Sequence, residues 1–399
     1  MLRKRGALIL DAKADQGWRA GLLAGGLIVF MVALFHIVLE SRPKNELESC
    51  SFHGPLVAED DEEGEARAVP GAEQGEGDSV SAADSLYKVD NLTPVYSQES
   101  WRLGFGLSMK TDPSRWAAAL GAGWYLDWGV AHRPGTMTPK HWQVVRVAPR
   151  CKRPSVKDAA RLALDYPGGV WVIGNEPDVI WQDNLTPEAY AAAYHDLYQA
   201  IKRADPSARL AVGGISQATP LRLAYLDQVL QAYEKRYKET MPVDIWTVHG
   251  FVLREERGSW GVEIPPGFSV EHGRLYDVSD HARLDLFETQ LRSFRAWMAE
   301  NGYRDVPLVL TEFGILMPAE YGFPEELVRA YMRDAFDLLY EMRDDATGYP
   351  EDDNRLIQQW AWFSLADPLY PAGNLANLRT ESLTPSGMDY REFVLGLED

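Results

Sequence analysis

The chain has 399 residues, room for two or three average domains or for one barrel-sized domain with additions. Hydrophobic residues are 46% and charged residues 25%, a globular composition that excludes a fibrous or wholly disordered chain. With 40 Lys and Arg against 59 Asp and Glu the net charge is −19, which argues against nucleic acid or an anionic membrane surface as the main partner.

Residues 20–39 read AGLLAGGLIVFMVALFHIVL, with His36 the one polar side chain. Twenty helical residues span about 30 Å, the thickness of a bilayer core. Arg3, Lys4, Arg5, Lys13 and Arg19 outnumber Asp11 and Asp15 on the N-terminal side. The positive-inside rule therefore predicts a cytoplasmic segment 1–19, a signal-anchor helix over 20–40, and an extracytoplasmic remainder. A cleaved signal peptide is the rival, but the run is long for one and no small-x-small site follows it. Lipidation at Cys50 is disfavoured by its distance from the apolar run, and Cys50 and Cys151 together cannot form a disulfide framework.

Between Glu46 and Asp90 there are 13 acidic residues against Arg67 and Lys88. The stretch is rich in Gly and Ser and lacks periodic apolar residues. Such a composition cannot bury enough surface to offset ordering entropy, so 41–95 reads as a disordered acidic linker.

From residue 96 short apolar runs alternate with segments of helical period. Eight runs read as strands: 101–107, 124–128, 142–148, 170–174, 209–214, 243–249, 307–313 and 358–365. Helix starts are marked by Asp112-Pro113, Thr186-Pro187 and Thr384-Pro385, and Asn301-Gly302 closes a long helix. Eight strands alternating with helices predict an α/β fold, a (β/α)8 TIM barrel over 96–399. A doubly wound sheet is the alternative, but no GxGxxG or GxxxxGK[ST] follows a strand. The longest interruption, 258–281 between strands six and seven, should sit at the catalytic mouth.

Two carboxylates fall at strand ends: Glu176 in GNEPD after strand four, and Glu312 in TEFG at the end of strand seven. In a (β/α)8 barrel the C-terminal strand ends converge on one pocket. Glycosidic cleavage needs such a pair, about 5–5.5 Å apart in retaining enzymes and about 6.5–9.5 Å in inverting ones. The motifs Asn175-Glu176-Pro177 and Thr311-Glu312-Phe313-Gly314 resemble those of the clan A glycoside hydrolases. WYLDWG (124–129) and the WAWFSL strand are similar to the family 39 and family 128 end of that clan. The resemblance spans residues 100–399. It implies Glu176 as general acid/base, Glu312 as nucleophile, and Asn175 as a partner of the sugar 2-hydroxyl.

The proton donor requires a raised pKa, supplied in part by the neighbouring ionised carboxylate, so the expectation places the raised value on Glu176. His249, at the end of strand six, is a pocket candidate, with a structural bridge between loops as its other reading. Trp360 and Trp362 share a strand face. Trp362 is taken as the floor beneath the sugar, with core packing as the alternative and Phe363 as the substitute if the register shifts. Trp128 and Trp260 are further stacking candidates, and Asp127 a candidate for a hydroxyl. Clan members often carry an Arg near the end of strand two; here Arg146 on strand three is the nearest. No HxH on strand one and no HExxH appear, so neither metal nor cofactor is expected.

The leading expectation is a membrane-anchored retaining glycoside hydrolase cleaving a β-linked glycan outside the cytoplasm, with no nucleic-acid partner. Transglycosylation with the same residues, a carbohydrate-binding pseudoenzyme and a metal-dependent barrel hydrolase are the alternatives.

Overall fold

The structure, a computed structural model, describes residues 87–130, 139–149 and 151–397. The apolar run 20–40 and most of the acidic stretch lie outside the described residues, and with them the anchor and the linker. Among the described residues no helix is long and apolar enough to cross a membrane.

The strands are β1 (Leu103–Gly106), β2 (Trp124–Leu126), β3 (Lys140–His141), β4 (Gln143–Ala148), β5 (Cys151–Arg153), β6 (Val170–Ile173), β7 (Arg209–Val212), β8 (Trp246–His249), β9 (Leu308–Phe313) and β10 (Gln359–Trp362). Between and after them run α1 (Pro113–Leu120), α2 (Val156–Asp165), α3 (Pro187–Ala204), α4 (Pro220–Tyr237), α5 (Leu284–Glu300), α6 (Glu325–Glu341) and α7 (Pro385–Gly396). Each of the eight expected runs holds one of these strands, the third holding β4; β3 and β5 lie outside the expected runs. The caps act as read: the side chains of Asp112, Thr186 and Thr384 accept from backbone N–H groups of the first turn of α1, α3 and α7.

One sheet runs β3-β2-β1-β10-β9-β8 and a second β5-β4-β6-β7, with only the β4–β5 hairpin antiparallel in them. The two join into a ring at both edges. On one side the Trp142 N–H donates to the Tyr125 carbonyl and the Val144 N–H to that of Gly129, 2.9 and 2.8 Å. On the other, Ala211 bridges Ile245 and Ile215 bridges Val248 in parallel. The lumen is filled by Trp124, Leu126, Trp142, Val144, Val172, Ala211, Ile245, Val309 and Ala361, one cluster. Trp124 and Trp142 stack there at 4.5 Å. The fit requires Gly104, since a Cβ on it would stand 2.5 Å from the Trp124 ring. The larger apolar cluster lies outside the strands, beneath the helices. Both layers hold because burying each large apolar side chain contributes about 1.5–3 kcal/mol.

The expected linker boundary at residue 95 is too late. Residues 87–95 pack onto the barrel: the Val89 N–H donates to the Glu381 carbonyl and the Val95 N–H to that of Ala118, both at 2.9 Å. Arg391 reaches the Thr93 carbonyl at 2.7 Å, and Arg115 pairs with Asp90 at 2.9 Å. Val89 and Val95 are the buried apolar residues that hold this strap, a signal hidden by the acidic composition around them.

Candidate active site

Parallel strands put the ends of β6, β8 and β9 side by side at one end of the barrel. β6 runs into a sharp turn: Gly174 has φ 90° and Glu176 φ 43°. A glutamate in the left-handed region is uncommon and signals a backbone held against its preference. The turn is fixed from behind by Asp183, which accepts from the backbone N–H groups of Val147 and Asn175 at 3.0 and 2.9 Å. Arg146 pairs with the same carboxylate at 2.7 Å and donates to Gln182. The strand-three guanidinium therefore anchors the loop that carries Glu176.

His249 ends β8 and stands between the two carboxylates. Its Nδ1 lies 2.9 Å from Glu176 Oε1 and its Nε2 3.3 Å from Glu312 Oε1. Two carboxyls contacting opposite nitrogens of one ring face each other across a single imidazole. Gly214 makes room for that ring, since a Cβ there would come within 2.7 Å of His249 Cδ2. The Trp128 indole donates to Glu312 Oε1 at 2.6 Å.

Electrostatics bind the three groups into one unit. Burial raises the Glu312 carboxyl to about 7; the Glu176 charge adds to the rise, while His249, the Trp128 hydrogen bond and Arg146 oppose it. For His249, burial alone would depress the pKa, but Glu312 and Glu176 together lift it above the ordinary histidine value. A raised carboxyl is thus found on β9, at Glu312. The physical reason is that Glu312 is deeply buried and its donors do not offset its desolvation.

Histidine in the loop-bridging role is found elsewhere. His281 takes the Leu316 N–H on Nε2 at 2.9 Å and contacts the Val252 carbonyl through Nδ1 at 3.1 Å. Burial lowers it to about 4, so it is a neutral strut between the loops after β8 and β9.

The other expected residues divide. Asn175 is buried in the turn beside Glu176, and its side-chain amide makes no hydrogen bond among the described residues. Asp127 accepts from His141 at 2.7 Å and from the Gly129 N–H, and strand alternation puts it on the side of Tyr125, away from the lumen. Trp362 is a correction. It does share a face with Trp360, but that face looks outward to the helices. Trp362 is fully buried against Phe313, Tyr331 and Phe336, and its indole donates to the Gly373 carbonyl at 2.6 Å. Phe363, of opposite parity to Trp362, turns to the mouth instead. It packs edge-on against Trp128 at 5.7 Å and Phe251 at 6.4 Å, and Trp260 and Val262 from the 258–281 loop join the same rim cluster. Tyr370, not anticipated, stands exposed at 6.1 Å from Phe363.

A second unanticipated group lies behind the site. Arg222, fully buried on α4, holds Asp178 and Glu255 and donates to the carbonyls of Asp178, Val262 and Glu263. It ties the Glu176 turn to the mouth loop. Its signal is in the sequence: Arg222 heads the buried stripe Tyr225, Leu226, Val229, Tyr233 of α4, where a charge demands partners.

The fold and site define a parallel α/β barrel with two strand-end glutamates joined through a histidine. No family model matches the chain, and no curated protein matches it. Among solved structures it is similar to a family 128 (subgroup I) endo-β-1,3-glucanase variant from Amycolatopsis mediterranei in complex with laminarihexaose, at TM-score 0.50 and 17% identity over 73% of this chain and 98% of that one. A family 128 (subgroup II) endo-β-1,3-glucanase from Sorangium cellulosum gives TM-score 0.50 and 17% identity over 73% of this chain and 97% of that one. At these identities the likeness is one of fold.

Proposed function

We propose that the chain is a retaining glycoside hydrolase acting on a β-linked glucan, with Glu176 as general acid/base and Glu312 as nucleophile. The observation that carries the reading is the single imidazole of His249 in contact with both carboxylates at the barrel mouth. β-1,3-Glucan is the first substrate to test, because the structures of like fold are β-1,3-glucanases.

In the first step the Glu176 proton passes to the glycosidic oxygen as the C–O bond breaks, and a Glu312 oxygen bonds to the anomeric carbon. In the second, Glu176 takes a proton from water, the water oxygen bonds to that carbon, and the Glu312 ester bond breaks. Glu312 must be ionised to attack, so kcat/KM rises with pH through about 7, where that carboxyl loses its proton. His249, with its raised pKa, supplies the positive charge that makes this ionisation possible in a buried site.

The elevated Glu312 carboxyl also favours a second reading, in which the two glutamates exchange roles. Azide rescue on an activated β-glucoside separates them. Under the first assignment Glu312→Ala with azide yields the α-glycosyl azide and Glu176→Ala the β-anomer; the opposite pattern reverses the roles. Products longer than the substrate identify a transglycosylase. A glucan that binds but is never cleaved by the wild type identifies a binding protein and overturns the enzyme reading.

The membrane placement is part of the proposal and is supported by the 20–39 apolar run and its basic flank. Retention of the full chain in membranes through alkaline carbonate washing is the expected outcome, and release into the wash overturns it.

A further inference from the structure

We propose that Trp128 is the positioning residue of Glu312: its indole N–H, not the face of its ring, is the working part, and by holding Oε1 it leaves Oε2 for the reacting carbon. The inference rests on the proposed function and extends it to a residue first considered for stacking on sugar.

The geometry is specific. Trp128 Nε1 donates to Glu312 Oε1 at 2.6 Å, and His249 Nε2 stands 3.3 Å from the same oxygen. Glu312 Oε2 has no hydrogen-bond partner among the described residues. Two groups on one oxygen and none on the other fix the rotation of the carboxylate and point its unbound oxygen away from both.

The ring is clamped for that purpose. Trp128 sits just after β2 with φ 56°, a left-handed turn that a bulky residue adopts only when its surroundings impose it. Its six-membered ring abuts Gly106, where a Cβ would come within 3.0 Å of Cη2. Phe363 meets it edge-on, with the ring planes at 64°. The tip bearing the N–H is thereby directed at the carboxylate.

The donor is also neutral. Arg146, the guanidinium that acts on Glu312, is engaged with Asp183 and Gln182 and works from a distance. The charges around Glu312 are therefore His249, Glu176 and Arg146, and the close contact from β2 orients without adding charge.

The test replaces Trp128 by Phe and, in a second variant that keeps the ring's shape, by benzothienylalanine, in which sulfur stands for N–H. Removing a hydrogen bond to a charged group should lower kcat by about 10- to 100-fold. KM should change less than about twofold. The acid limb of kcat/KM should move to higher pH, because the lost bond favoured the ionised form. An unchanged kcat and acid limb, with KM rising for longer oligosaccharides, overturns the proposal in favour of a stacking platform. A carboxyl-carbon NMR titration of Glu312, assigned with Glu312→Gln, reads the contact without turnover. If the wild type cleaves no glycan, an upward shift of that midpoint in both variants still supports the orienting bond, and an unmoved midpoint overturns it.

Discussion

Glu176 and Asp178 are two residues apart in one turn, and both are buried, yet they belong to clusters of opposite character. Asp178 is fully enclosed with Arg222 and Glu255, where a permanent cation is ringed by acceptors. Glu176 faces a titratable imidazole shared with Glu312; an unbonded oxygen does not set it apart, since Asp178 Oδ1 also lacks a hydrogen-bond partner among the described residues. A fixed, hydrogen-bonded charge set resists change and stiffens the turn. A set built around a titratable imidazole can change its protonation. Proximity in sequence does not decide which cluster a carboxylate joins; the two differ in the nature of the counter-charge.

The sharpest break of this contrast is on the reactive side. Glu312→Gln should reduce glucan turnover by about 10⁴-fold or more, as expected when a nucleophile is lost. Thermal melting at pH 8 should hold or rise, because a buried carboxylate is replaced by a neutral amide. A variant that unfolds instead would place Glu312 with the structural cluster.

On the structural side, Arg222→Met leaves Asp178 and Glu255 buried without their cation and should cost about 3–5 kcal/mol in urea unfolding. A loss under about 1 kcal/mol would mean the cluster is not holding the turn.

The cluster around His249 should also respond to pH, and Asp178, whose carboxyl pKa burial raises, should respond in the same direction. Glu312 and His249 both have folded-state values above their ordinary ones, so each favours the native state at low pH and loses that contribution as pH rises. Stability of the wild type should therefore fall between pH 5 and pH 8 by urea titration, with Glu312 contributing the part that ends near 7. Glu312→Gln should flatten the slope, and an equally steep slope in that variant would remove Glu312 as its source.

The smallest effect is expected at Trp362. Trp362→Phe should cost about 0.5–3 kcal/mol of stability and leave KM within about twofold, the signature of a core residue. A several-fold KM increase with unchanged stability would return it to the sugar floor.

Much of this architecture was legible in the amino-acid order. Strands announce themselves as short apolar runs, and the caps at Asp112, Thr186 and Thr384 depend on a side-chain oxygen next to its own helix. Glu176, His249 and Glu312 could be gathered because parallel strands bring their ends together whatever their separation in the chain. Face assignment was harder. Alternation says that Trp360 and Trp362 point the same way, but Tyr331 and Phe336 on α6 and Phe393 on α7, which pack against one or both, decide that the way is outward. The same alternation puts Phe363, with the parity of the lumen residue Ala361, at the mouth. The hydrogen bond from Trp128 was not legible at all, since it depends on a left-handed turn and on the absence of a Cβ at Gly106. The strap 87–95 was masked by acidic neighbours, because composition averages over the two valines that hold it.

That strap also settles where the folded region receives its chain. Lys88 pairs with Ser382 immediately ahead of α7, a helix that starts near the C-terminal strand ends and runs away from them, so residue 88 meets the barrel on the side of those strand ends and Gly396 lies on the far side. For anyone attaching this domain to a bead, a sensor or a partner domain, the choice of end is therefore consequential. A graft at residue 87 stands on the side of the C-terminal strand ends, whereas one at the C-terminus stands on the opposite side.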